Sequence, residues 1–198
     1  MNAKRYAWRG IRPGHFVEVG DGTVIDIHAG LMWAAVDSGL EDRSGTPDGE
    51  DWWEATAWCE RFRGGGHTDW RMPTLSELKT LYAGLLGQPV EAFERDFWRE
   101  GDHPRVAGEV NVQTASGQWV NLQSACNREN GVPIWIDGWI WSSDVRPPDA
   151  ANLYFHNGRI AWDAQSFRDR SVRALPVRAL ASTIAHAALN HPPSRRPP

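Results

Sequence analysis

The side chains able to do covalent chemistry are scattered along this sequence. Seven histidines, His15, His28, His67, His103, His156, His186 and His191, stand far apart, and no two have metal-ligand spacing on one element. Asp48 and Asp51 form an acid pair, but they precede a helical pattern and read as its caps. No nucleophile elbow and no His-Glu-x-x-His occurs. Between Asp37 and Asp51 the D-x-D-x-D-G order of a calcium loop is missing. Gly64-Gly65-Gly66 follows a helix and has no Lys-Ser/Thr after it, so it is not a phosphate loop. Cys59 and Cys126 are too few for a disulfide framework, and Cys59 lies on an apolar helical face as a small buried residue. A bridge between the two requires an oxidising compartment. No catalytic residue, metal or cofactor is predicted.

The chemistry on offer is noncovalent. Asn152, Tyr154 and His156 alternate with Leu153 and Phe155, and period-two geometry puts the first three on one strand face. A polar-aromatic face of that kind suits a sugar or a protein epitope. The chain has 12 tryptophans, most of them expected in a Trp-rich core. All but Lys4 and Lys79 of the 21 cations are arginines, which favour planar anion recognition. Arg159, Arg168, Arg170, Arg173 and Arg178 would attract sulfate groups, though Asp163 and Asp169 interrupt them.

The elements that would position these residues are legible in part. With 198 residues, 41% apolar and 23% charged, the chain is long enough for one domain with a sizeable core. Its net charge of −4 gives no generic nucleic-acid footprint. No run approaches the about 18 apolar residues of a membrane span. Met1 to His15 lacks an apolar signal-peptide core, which predicts a cytoplasmic protein, or a surface protein exported by another route. Residues 1–14 read as an arm, 15–180 as the domain and 181–198 as a Pro/Arg-containing tail. Strands are predicted at His15–Val19, Thr23–Ile27 and Leu31–Ala35, the last two as a hairpin. Asp37–Asp51 reads as a solvated loop, and Glu50–Arg63 as a helix capped by Asp48.

Pro73 holds Met72 extended, and Thr74 with Glu77 forms a capping box before Leu75, Leu78, Leu81 and Leu85. A third short helix is predicted over Val90–Arg99. Residues 100–137 are irregular apart from short strands at Val110–Val112 and Gln118–Leu122. Four more strands follow at Trp139–Ser143, Asn152–His156, Arg159–Asp163 and Val172–Val177, with Asn157-Gly158 suited to a type I′ turn.

The order Gly22-Thr23-Val24-x-Asp26-x-x-x-Gly30-Leu31-Met32-Trp33, Ala57-Trp58-Cys59, Asp69-Trp70-Arg71-Met72-Pro73-Thr74-x-x-Glu77-Leu78, Trp141-Ser142-Ser143 and Val177-Arg178 resembles the Lcl C-terminal-domain family. The resemblance spans about residues 15–180. It implies an α+β domain of C-type-lectin-like fold, distantly similar to formylglycine-generating enzymes. Two helices would flank a small twisted antiparallel sheet, with long loops and the chain ends together. Residues 100–137 look like an insertion, and Ala174-Leu175 stand where relatives often carry a cysteine. In such a fold the motif residues hold the scaffold, and late loops and strands make the ligand face.

Here that face is Asp144 to Arg159. The expected ligand contacts are Trp141, Asp144, Arg146, Asn152, Tyr154, His156, Asn157, Arg159 and Trp162. The resemblance implies a non-enzymatic recognition or adhesion module whose partner is a glycan, sulfated chains included, or a protein. A retroelement-diversified target protein, with Asn152, Tyr154, His156 and Asn157 as variable positions, is an alternative of the same chemistry. A formylglycine-type oxidase would need a shared-pocket cysteine pair and an Arg-Gly-Gly-Ser-Trp stretch that this sequence lacks.

Overall fold

The computed structural model describes residues 15–41, 49–93, 98, 111–126, 133–136 and 138–180. The predicted arm, the tail, Asp48 and the first part of the insertion lie outside these residues.

The three predicted strands form, as β1 (Phe16–Glu18), β2 (Thr23–Asp26) and β3 (Leu31–Ala34), and β1 joins the predicted β2–β3 hairpin in an antiparallel meander. The β2–β3 turn is closed by Asp26, whose Oδ1 accepts the N–H groups of His28 (3.1 Å) and Ala29 (3.0 Å). The predicted solvated loop after β3 is a correction. Ser38–Glu41 forms a short helix, α1, and Asp37, Ser38 and Glu50 are all buried. Helix α2 (Trp52–Arg61) is capped by Asp51, not by Asp48. The Asp51 side chain accepts the Glu54 N–H at 2.9 Å and Glu54 accepts the Asp51 N–H at 3.2 Å. Helix α3 (Leu75–Leu85) carries the predicted capping box of Thr74 and Glu77, with both halves formed, and ends at the left-handed Gly87 (φ 69°). The predicted third helix is reduced, among the described residues, to a 3₁₀ turn at Val90–Ala92.

Within the insertion, β4 (Asn111–Gln113) and β5 (Trp119–Asn121) pair as a hairpin. Then β6 (Trp139–Arg146), β7 (Asp149–Tyr154) and β8 (Arg159–Ala164) form a second meander. The predicted strand Val172–Val177 divides. β9 (Val172–Arg173) pairs parallel with β6, whereas β10 (Val177–Ala179) pairs antiparallel with β3. The result is two four-stranded sheets, β1-β2-β3-β10 and β8-β7-β6-β9, in place of the single antiparallel sheet expected. The α+β class and the two flanking helices stand as expected, and the first and last strands share one sheet.

The division has a local cause. Pro176 has no N–H to give a ladder. The Ala174 N–H is taken by Ser38 Oγ (3.0 Å) and Glu50 Oε2 (2.9 Å), and Ser38 Oγ itself donates to that oxygen at 2.6 Å. The crossing between sheets is thus clamped by two residues of the supposed loop. Burial pushes the Glu50 carboxyl above its usual 4.5, against the opposing pull of Ser38 and Ala174. A raised folded pKa favours the fold in its protonated form, so this contribution is complete below 4.5 and is lost as pH rises through the raised value. Glu50→Gln keeps an acceptor and removes the charge. Urea midpoints measured across that window should fall with pH more steeply in the wild type than in the variant. Parallel curves would show that Glu50 does not titrate with folding.

The residues that carry the resemblance act as fasteners. Arg71 exchanges both main-chain hydrogen bonds with Val177 (2.9 Å each), and its guanidinium grips Glu77 at 2.6 and 2.8 Å. Arg178 holds Asp69 through two contacts at 2.7 and 3.0 Å. The α3 leucines pack with Val24, Trp33, Ile140, Leu153 and Ile160, so one face of the second sheet and the first sheet share the main core. The other face of the second sheet takes α2, with Ala55 and Cys59 against Trp141 and Ala150. No helix among the described residues is long and apolar enough to cross a membrane.

Candidate functional site

The second sheet places the late polar and aromatic residues in rows. Pairing aligns Trp139, Tyr154 and Arg159 in one row, Trp141, Asn152 and Ala161 in the next, and Val145, Ala150 and Asp163 beyond them. Alternation puts all three rows on the α2 side of the sheet. Helix α2 covers only part of this side. Where it stops, the small Ala161 leaves a depression of about 300 Å³, lined by Trp139, Arg159, Asp163, Phe167, Asp169 and Ser171.

Each wall of this groove is held in place. Trp139 stacks on Tyr154 (centroids 4.7 Å apart, 22° between planes), and Tyr154 meets His156 at 5.0 Å. Arg159 lies with its guanidinium 5.8 Å from the Trp139 ring centre. Asp163 accepts the Asn152 amide at 2.9 Å, while Asn152 Oδ1 is buried without a hydrogen-bond donor. Asp169 accepts both the N–H (2.9 Å) and the hydroxyl (2.6 Å) of Ser171, which hold its carboxyl below the usual range. Residues 165–171, which carry Phe167, are pinned to α2: the Trp52 N–H donates to the Gln165 carbonyl (3.0 Å). Arg168 reaches Asp51 (2.9 Å) and Glu54 (2.6 Å). Charges are separated along β8, with Arg159 at one end and Asp163 toward the other, and Asp169 adds a carboxylate from the segment that follows the strand. Two aromatic rings stand between walls that cannot readily move.

The residues expected to bind ligand do not all come here. Arg159 does, joined by Trp139, while Tyr154 stands behind Trp139 as its stacking partner and His156 behind Tyr154. Trp141 does not: it is fully buried under α2 and its indole N–H donates to the Glu50 carbonyl at 2.9 Å. Asn152 is also fully buried, and Tyr154 and His156 are half-buried, so the expected exposed face of Asn152, Tyr154 and His156 is not formed. Asp144 accepts the Leu75 N–H at 2.6 Å and caps α3, and a register shift after Trp141 brings it there. Arg146 and Trp162 lie on the other face of the sheet, the guanidinium 3.9 Å above the indole.

Asn157 turns inward to accept the Arg159 N–H at 2.9 Å. Its loop spans the four residues 155–158 between the paired Tyr154 and Arg159, and only Gly158 has a positive φ (73°), so the expected two-residue type I′ turn is not formed. Trp139, Phe167 and Asp169 were missed from sequence. Trp139 precedes Trp141 by two and so shares its face, a signal that period-two reasoning could have found; Phe167 gave none.

The model of one protein family, described as the Lcl C-terminal domain, matches residues 22–178. No curated protein matches the chain.

Proposed function

The chain belongs to the Lcl C-terminal domain family, and on that premise we propose that it is a non-enzymatic recognition module whose ligand seats in the groove on the α2 side of the second sheet. The ligand class is a glycan or a protein epitope, and the architecture is a variant of the C-type-lectin-like fold. The observation that carries this reading is the groove itself. It is a concave site with aromatic rings, a guanidinium and two carboxylates, set on strands and on a segment fastened to a helix. Chemistry of the formylglycine-generating type is a weaker reading. Cys59 is buried among α2 contacts and its thiol is pushed up by desolvation, away from the reactive thiolate.

Arg159 and Phe167 stand on opposite walls and leave the core intact when truncated. A glycan array that includes sulfated chains, run with the wild type and with the Arg159→Ala/Phe167→Ala variant, tests the site. Binding should fall at least about tenfold in the variant, with an unchanged circular dichroism spectrum. Undiminished binding by the folded variant would move the site elsewhere. Silence from the folded wild type would remove glycans and leave a protein ligand.

A further inference from the structure

The end of the groove around Asp163 and Asp169 is short of hydrogen-bond donors. Asp163 Oδ2 accepts the Asn152 amide, and Asp169 Oδ1 takes both the N–H and the hydroxyl of Ser171. Among the described residues nothing else is bonded to either side chain, so Asp163 Oδ1 and Asp169 Oδ2 are open acceptors on the groove. Asn152 Oδ1 belongs to a fully buried side chain in the same row as Ala161 of the groove floor, and it too lacks a donor. A buried acceptor left without a donor is costly, and its field favours positive charge nearby.

The neighbouring cations do not fill this need. Arg168 is held by Asp51 and Glu54, and Arg146 lies over Trp162 on the opposite face of the sheet. Arg173 lies against Gly39. Arg170 and Arg173 act on Asp169 less than Ser171 does, and among the described residues neither forms an ion pair with it. Arg159 starts β8 four residues before Asp163, about 13 Å away along the strand. That exceeds the about 8 Å over which physiological salt screens charge, and the Arg159 guanidinium lies toward Trp139 in its own row.

We infer that this end of the groove takes the ammonium group of a lysine side chain on a protein ligand, with the methylene stem along the Trp139 and Phe167 rings. The inference rests on the groove being the ligand site proposed above. Three features select lysine. Its ammonium brings three donors and no acceptor, which is what the open oxygens need. The two rings offer apolar surface to the stem and a favourable face to the cation. The open oxygens belong to different carboxylates, which suits a point charge, whereas the arginine fork pairs best with both oxygens of one carboxylate. A hexosamine also carries an ammonium, but its hydroxyl and ring oxygens would need donors that this end of the groove lacks.

The test titrates the full chain, by ¹⁵N-resolved NMR, with the peptide acetyl-Gly-Gly-Lys-Gly-Gly-amide, with its norleucine and arginine counterparts, and with the glucosamine hexamer. The lysine peptide should shift the Trp139 indole and Ala161 amide signals saturably, and more tightly than the other three. Its affinity should drop about tenfold or more in Asp163→Asn and in Asp169→Asn, each with an unchanged circular dichroism spectrum. The lysine assignment is overturned if the lysine peptide moves neither signal, if the norleucine or arginine peptide or the glucosamine hexamer binds as tightly, or if neither substitution weakens binding. In those cases the groove still stands or falls by the glycan array and the Arg159→Ala/Phe167→Ala variant. Lysine binding that shifts only signals outside the groove overturns the assignment and the groove together.

Discussion

Trp141→Ala is expected to lose about 3–5 kcal/mol of stability, the range for deleting a fully buried large aromatic side chain. For a domain of ordinary stability, about 5–15 kcal/mol, that is a large share of the whole. Trp141 has no exposed surface, and it fills the space between β6 and α2 beside Ala55, Cys59 and Ala150. Its indole N–H meets the Glu50 carbonyl at 2.9 Å, so truncation leaves both a cavity and a buried acceptor short of its donor. Trp52 fastens the same seam, donating its indole N–H to the Ser142 carbonyl at 2.8 Å. A urea titration followed by circular dichroism measures the effect. An unchanged midpoint would show that Trp141 carries no packing role and would return it to the ligand face.

The second large effect is expected at Gly138. Its φ of 121° is open to glycine and strained for other residues, and a Cβ there would run into the Ser171 carbonyl oxygen. That carbonyl accepts the Trp139 N–H at 2.7 Å where β6 and β9 begin to pair. The clash is with backbone, so it cannot be relieved by turning a side chain. Gly138→Ala should cost about 3 kcal/mol or more, from strain and overpacking together.

Gly49 plays the same part from the other side. Its φ is 79°, and a Cβ would meet the Asp169 main chain. Two glycines thus let neighbouring backbones close on the segment that forms one wall of the groove. A melt of Gly138→Ala, with ligand titration where folded protein remains, should show both lower stability and weaker binding. A variant with wild-type melting would mean that the close approach to Ser171 is not needed.

Much of the fold was legible because its rules are local. A capping box needs only residues three apart, so Thr74 and Glu77 announced the start of α3, and the leucines behind them announced its buried face. The strands of the first meander followed from glycine-containing turns, and those of the second from apolar-polar alternation and Asn157-Gly158. Errors arose where a side chain reached past its neighbours. Asp51 took the cap expected of Asp48. Ser38 and Glu50 left the supposed loop to clamp Ala174, more than 120 residues from either, and so split one predicted strand between two sheets.

The site divides along the same line. The sequence determined the family, the α+β class and the candidate rows that hold Asn152, Tyr154 and Arg159. Only the tertiary structure decided which of those rows stays open. Helix α2 crosses one end of the sheet and buries Trp141 and Asn152, and a register shift draws Asp144 to α3. The loop carrying Phe167 then closes the other side. Alternation assigns residues to the two faces of a strand, but whether a face meets solvent or a helix depends on contacts such as Trp141 with Glu50, 91 residues apart, which no local pattern encodes.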